Sequence, residues 1–385
     1  MSKTTTPDTT DQRGLTLRRD VSVDSQLRMT WRRFRQHRLA IIGAVVIALF
    51  YLVVIFADFL AYADPRAGEA GVGLVSPQRI HFIDNGSISP YVYQLEGVRD
   101  PNTFQRVYTP NKNKKIPVVF FVRGYEYKLF GFIPTDRHLI GVEGAKAEES
   151  LFLLGTDVQG RDLWSRVMLA TRVSMTIGLV GVAISLVLGI VLGGISGYFG
   201  GLIDTLIQRL IEILRSIPTI PLWMGLAAAM PREWSILQVY LSITIIISLV
   251  SWTQLARVVR GRFLSLRYEE FVLAAQVIGC RPPKIIFVHM LPSFLSHIIA
   301  VTTLTLPAMI ISETSLSFLG LGLRPPALSW GTLLQQAQNV QAIAMTPWLL
   351  IPAIPVIVVV LAFNFLGDGL RDAADPYATV RGKGF

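Results

Sequence analysis

The side chains that could do chemistry in this 385-residue chain are few and far apart. Five histidines, His37, His81, His138, His289 and His297, fall in separate segments and cannot form one metal or proton-transfer cluster. Cys280 is the single cysteine, which excludes an intramolecular disulfide and a Cys-built zinc site or redox pair; it reads as a small filler. No Gly-x-x-x-x-Gly-Lys-Ser/Thr loop is present to cradle phosphates, so the chain is not expected to hydrolyse ATP. Neither a His-Glu-x-x-His pair nor a Gly-x-Ser-x-Gly elbow occurs. Asp204, Arg209, Glu212 and Arg215 interrupt an otherwise apolar region, where they read as structural pairs near a membrane face or as a proton relay.

What remains is Tyr268 to Pro292, YEEFVLAAQVIGCRPPKIIFVHMLP, whose chemistry is that of contact. Phe271, Val272, Ala275 and Ile278 recur near helical spacing, and Glu269 and Glu270 lie in the first turn, where the helix dipole favours acids. Gly279 offers a C-terminal cap, and Pro282 with Pro283 forbids continuation. A second short helix is predicted from Lys284 to Met290, with Pro292 stopping it. The small residues Ala274 and Ala275 give a close-approach face suited to another protein.

The elements that position this stretch follow from composition. Half the residues are apolar (51%) and mean hydropathy is positive, yet the formal net charge is +10. That combination describes a polytopic membrane protein with basic loops, and runs such as LAIIGAVVIALFYLVVIFA exclude an ordinary nucleic-acid-binding domain.

Residues 1–27 are polar and lack hydrophobic period, as expected of a disordered cytoplasmic tail. Residues 28–62 hold a basic segment and the first span, Leu39 to Ala57, long enough to cross about 30 Å of hydrocarbon. It reads as an uncleaved signal anchor, and Arg28, Arg32, Arg33, Arg35 and Arg38 place its start in the cytoplasm. Residues 63–150 carry no span and read as an extracytoplasmic insert, partly β, with runs at Gln78 to Ile83, Tyr91 to Leu95, Val118 to Val122 and Tyr125 to Phe130 and a turn at Asp84-Asn85-Gly86. Residues 151–370 form a core with five more spans. The second is Ser174 to Ile195, preceded by a polar and aromatic prelude and lined by Gly178, Gly181, Gly189, Gly193 and Gly194 for close packing. The third, Leu202 to Met230, is interrupted by Pro218 and Pro221; the fourth is Ile236 to Trp252. The fifth begins at Ile298 to Ile311 and leads to an amphipathic outer segment, Glu313 to Gln338; the sixth is Trp348 to Leu366. Arg257, Arg260, Arg262, Arg267, Arg281 and Lys284 gather in the loop 253–297, against only Arg232 and Arg324 in the outer loops, so that loop is assigned to the cytoplasm. Residues 371–385 are expected to be a cytoplasmic tail.

Leu273-Ala274-Ala275, then Gly279, then Leu291-Pro292, resembles the cytoplasmic EAA loop of ABC importer permeases, with Leu273 where the family usually has Glu and with Glu269 and Glu270 one turn earlier. Four further stretches are similar to the C-type permease of the dipeptide and oligopeptide family: GTDVQGRDLWSR, GYFGGLID, ETSLSFLGLGLRPPALSWG and NFLGDGLRDAADP. They supply Gly155, Thr156, Asp157, Gly160, Arg161, Asp162, Ser165, Arg166, Asp204, Glu313, Asp368, Arg371 and Asp372 as structural motif residues, with Arg172 close behind the first. The resemblance implies an all-α, six-span permease of the type I ABC importer fold. Its partners would be a homologous B-type permease, two ATPase subunits that bind ATP and Mg2+, an external solute-binding protein and membrane lipid, with no nucleic acid and no cofactor in this chain. In such a machine the loop is a coupling helix seated in a groove of the ATPase, and Ala274 and Ala275 are expected at the contact. Peptide cargo is implied; oligosaccharides, opines and nickel chelates are carried by other members. A channel or secondary transporter working alone would need intramembrane charge pairs or an inverted repeat, and neither is evident.

Overall fold

The computed structural model describes residues 31–374 apart from 69, 85, 100, 102–105, 143–149, 232 and 339–343. The expected tail 1–27, Arg28, Asn85, Arg232 and everything after residue 374 lie outside the described residues.

The first apolar run forms α1 (Arg38–Ile55), capped by His37, whose Nδ1 accepts from the Ala40 amide. Satisfying an orphan donor in this way stabilises a helix by about 1 kcal/mol. A single turn, α2 (Ala57–Leu60), leads into the insert. Two antiparallel sheets follow: β1 (His81–Asp84), β2 (Ser87–Arg99) and β3 (Arg106–Pro117) in the order β1-β2-β3, then β4 (Val119–Leu129) paired with β5 (Ile133–Gly141). The β3 segment, RVYTPNKNKKIP, has neither the alternation nor the composition that marks a strand. It pairs on one side only, with β2, and an edge position tolerates its Pro110 and lysines. The separate runs Val118 to Val122 and Tyr125 to Phe130 are joined in β4, with an irregularity between Arg123 and Tyr127.

The second span, α3 (Leu163–Phe199), starts well before the predicted Ser174. Asp162 begins it, accepting from the Ser165 amide at 2.7 Å, and the charges of the supposed prelude are neutralised by neighbours, so they do not break the helix. Gly200, at φ +66, ends it. The third span is two helices, α4 (Gly201–Ser216) and α5 (Thr219–Ala228), bent by 85° at Ile217-Pro218. The fourth, α6 (Ile236–Leu266), continues beyond the expected end at Trp252.

After α7 (Glu270–Val277) the chain enters α8, which runs from Pro282 to Phe318. Pro292 therefore does not stop a helix. A wide π turn at Ile285–Met290 and a 3-10 turn at Leu291–Phe294 absorb its missing N–H, and the α-helix resumes at Leu295. Glu313 to Phe318, predicted to be an outer amphipathic segment, is the buried last part of α8. After α9 (Trp330–Leu334), the last helix is α10 (Ala353–Ala374); it takes in Asp368, Arg371 and Asp372, so the tail expected at 371 begins no earlier than 375.

Among the described residues five helices are long and apolar enough to cross a membrane, and six crossings follow when α4 and α5 count as one. The tightest packing is between α3 and α6. A Cβ on Gly193 would lie 2.5 Å from the Ala256 carbonyl oxygen, and one on Gly197 2.6 Å from the Phe263 Cβ. Gly189, Gly193 and Gly197 make a groove at four-residue spacing that takes the Leu255 side chain at one end and lets backbone meet backbone at Gly193 and Gly197, the way helices associate where lipid removes the hydrophobic drive.

Candidate functional site

The predicted contact stretch is a compact hairpin between α6 and α8. Glu269 starts α7 without a side-chain cap, and Gly279, at φ +77, ends it in the left-handed conformation that only glycine adopts without strain. One face of α7 is committed inward: Val272 and Ala275 are buried with Phe263 and Val259 of α6 and with Ile285, Ile286 and Met290 of α8. Ala275 is 4% exposed. It therefore serves the hairpin's own core, whereas Ala274 is exposed, which corrects the expectation that both alanines face a partner. The outward face is apolar instead. Tyr268, Phe271, Leu273, Val277 and Ile278 are exposed, Val277 at 86% and Ile278 at 77%. Glu270 is exposed beside them, Leu291 is half-buried and Pro292 is exposed.

Two polar clasps hold the bundle that carries this hairpin. Near it, Asp204 of α4 accepts both arms of Arg260 of α6, each at 2.6 Å, together with the Ser196 hydroxyl of α3. The remaining charges of α4 are satisfied locally: Arg209 with Glu212 at 2.8 Å, and Arg215 with the Gln254 side-chain oxygen. They are structural pairs, spread along an exposed surface.

The second clasp is GTDVQGRDLWSR, at the start of α3. Gly155 and Gly160 take positive φ, and a Cβ on Gly155 would meet the Val75 carbonyl at 2.5 Å. Asp157, wholly buried, faces Arg161 at 2.7 Å and Arg166 at 3.2 Å and accepts from the Gln159 and Arg161 amides. Thr156 bridges to the first part of the insert, donating to the Val72 carbonyl and accepting from the Val75 amide, while its own carbonyl accepts from Trp348. Tyr62 donates to Asp162, and the Ala63 amide donates to Ser165. Burial pushes the Asp162 carboxyl up to about 6, against the hydrogen bonds from Ser165 and Tyr62 that favour its ionised form. Burial, and then the nearby Asp162 charge, hold the Tyr62 hydroxyl well above its usual range. Farther along α3, Arg172 reaches back to Asp58 at 2.7 Å and to the Val54 carbonyl.

Glu313 is buried where α8, α3 and α9 meet, accepting from Ser174 at 3.0 Å and Ser317 at 2.8 Å. Ser174 in turn accepts from the Trp330 amide. At the other end, Asp368, Arg371 and Asp372 are exposed on α10, with Asp372 3.9 Å from His37. Sequence reasoning missed Tyr62, Ser174 and Ser317, because an isolated hydroxyl carries no periodic signal. The apolar outer face of α7 could have been found by pairing Val272 with Ala275 as the buried side.

A profile described as binding-protein-dependent transport system inner membrane component matches residues 189–379, and one described as the N-terminal TM domain of oligopeptide transport permease C matches 25–71. The oligopeptide transport system permease protein OppC of Escherichia coli strain K12 is 42% identical over 248 residues, 64% of this chain and 79% of that protein. The chain belongs to the binding-protein-dependent transport permease family. OppC of Bacillus subtilis is 36% identical over 223 residues, 58% of this chain and 70% of its own. A chain of the MetNI methionine ABC transporter, solved in inward-facing conformations, aligns over 54% of this chain and 96% of its own at 19% identity, with a TM-score of 0.40. As a member of a family of transport permeases, this is a multi-pass inner membrane protein whose α4 to α10, hairpin included, fall within the first matched range. The β1–β5 insert lies between the two matched ranges.

Proposed function

We propose that this permease is the C-type half of the translocation path of an ATP-driven peptide importer and that α7 is where force enters it. Relatives named for oligopeptide transport support the cargo class. The observation that carries the coupling role is the two-sidedness of α7: its inner face is locked to α6 and α8 while its outer face leaves Phe271, Val277 and Ile278 without cover. A helix so held moves as one body with two spans, and an apolar surface of this kind in a polar loop marks a protein contact. The partners are two ATPase subunits, which bind ATP and Mg2+, a homologous B-type permease, and an external binding protein that selects cargo. The basic loop residues around α7 support placing it, and both termini, in the cytoplasm.

The test is the assembled transporter in proteoliposomes. Val277→Asp is expected to leave expression and complex stability intact while lowering peptide uptake at least about tenfold, the effect of losing one buried apolar contact and stranding a charge. Ala275→Arg is expected to lower thermal stability instead, because it strikes the hairpin's own core. Normal uptake by well-assembled Val277→Asp would overturn the assignment.

A further inference from the structure

The β4–β5 hairpin displays an apolar surface that the transport cycle does not account for. At its tip Phe130, Phe132 and Ile133 are exposed, Phe132 at 72%, and Phe120 and Phe121 are exposed farther back. Two of these take backbone conformations that L side chains avoid, Phe121 at φ +57 and Phe130 at φ +55. Such a geometry costs of order 1 kcal/mol per residue and normally falls to Gly or Asn, so these two rings are held in place against a backbone cost.

The neighbours of these rings show where they sit. Phe130 packs edge-on against Phe56, with centroids 5.6 Å apart, and Phe121 lies 6.1 Å from Phe59. Phe56 is the residue at which the membrane-crossing α1 ends. On α1, Val45, Leu49, Leu52 and Ile55 are exposed at helical spacing, a stripe that in a membrane protein faces lipid. The Phe130–Phe56 contact sets the hairpin tip beside the last turn of this helix, next to the end of that stripe. His138 and Tyr125 hold the hairpin against α2, the two His138 ring nitrogens each lying 3.1 Å from a carbonyl oxygen, one of Asp58 and one of Tyr125. Lys128 stands exposed two residues before the tip, a cation within reach of lipid phosphates, whereas Arg123 pairs with Asp136 and Arg137 donates to the Phe121 carbonyl.

We infer that the β4–β5 tip is a lipid-binding wedge, with Phe130 and Phe132 seated in the acyl-headgroup boundary of the outer leaflet. Aromatic rings favour that boundary, and the seat would bury the strained phenylalanines without any protein partner. The insert would then be held both by its polar clasp to α3 and by the bilayer.

The experiment uses the full chain with Cys280→Ser and a nitroxide on Phe132→Cys, in nanodiscs of phosphatidylcholine and phosphatidylglycerol. Collision rates with oxygen, which concentrates in the acyl region, are compared with those of a water-soluble nickel chelate, and a label on Asn113→Cys in β3 serves as the aqueous reference. The expected result is an oxygen-to-nickel ratio several-fold higher at position 132 than at 113. Equal ratios would show a water-exposed tip and overturn the proposal. Protection from both reagents would show a protein contact and overturn it equally. Neither reading depends on ATP-coupled uptake, so failure here leaves the coupling assignment untouched.

Discussion

At the scale of single residues, the polar groups described in this permease hold parts of it together. Asp204 with Arg260 and Glu313 with Ser174 join segments distant in sequence, while Asp157 with its two arginines ties the turn before α3 to the first turns of that helix. Asp162 is the one whose effect on stability has a readable pH dependence. Its folded value of about 6 stands above the ordinary 3.8, so the folded state holds the proton more tightly than the unfolded chain. The stabilisation is therefore complete below the ordinary carboxylate value and is lost as pH rises through about 6; the raised value bounds it at about 3 kcal/mol. Asp162→Asn, which keeps an N-cap oxygen, is expected to flatten this dependence. The melting temperature of wild type minus that of the variant, followed from pH 4 to 7 in detergent, should fall as pH rises; a constant difference would refute the assignment.

At the scale of elements, local chemistry announced itself where one residue type has one job and stayed hidden where neighbours decide. Gly279 ended α7 as its conformational freedom predicts, and the Pro218 break in the third span was readable as well. The early start of α3 was not, because Arg161, Asp162 and Arg166 read as loop until their partners at Asp157 and Tyr62 are known. Pro292 misled for a related reason: a wide turn is a cheap accommodation that no spacing rule signals. Strand β3 was hidden by its lysines, which only an unpaired edge explains. The glycine groove between α3 and α6 yields a sharper prediction. Gly193→Val puts branched carbons where 2.5 Å is available, so the two helices must separate along their length. The expected outcome is loss of monodisperse protein on size exclusion, whereas Gly261→Val, with open space around it, should behave as wild type.

At the scale of the whole molecule, the insert is bound to the bundle at a few points around α1 and the start of α3. Ala63 bonds to Ser165 and His138 to the Asp58 carbonyl; Arg172 steadies the α2 turn that leads into the insert, joining Asp58 and the Val54 carbonyl, and Trp164 adds a bond to the Leu60 carbonyl. Arg172→Met keeps the side chain's bulk and removes its charge and donors. We expect faster proteolysis within residues 63–150 while the spans stay resistant, read by mass spectrometry of limited digests of protein in nanodiscs; an unchanged pattern would mean the clasp at Asp157 suffices alone.

The length of α3 has a geometric consequence. At 1.5 Å per residue its 37 residues make a rod of about 55 Å, close to twice the thickness of the hydrocarbon. One end carries Asp162, Ser165 and Arg166, the anchor points of the insert, and the other carries Ser196, beside Asp204 and Arg260. A tilt of about 5° would swing one end through about 5 Å relative to the other, the scale of one helical turn. A small rotation on one side of the bilayer thus arrives on the other as a displacement large enough to open or shut a path for a peptide.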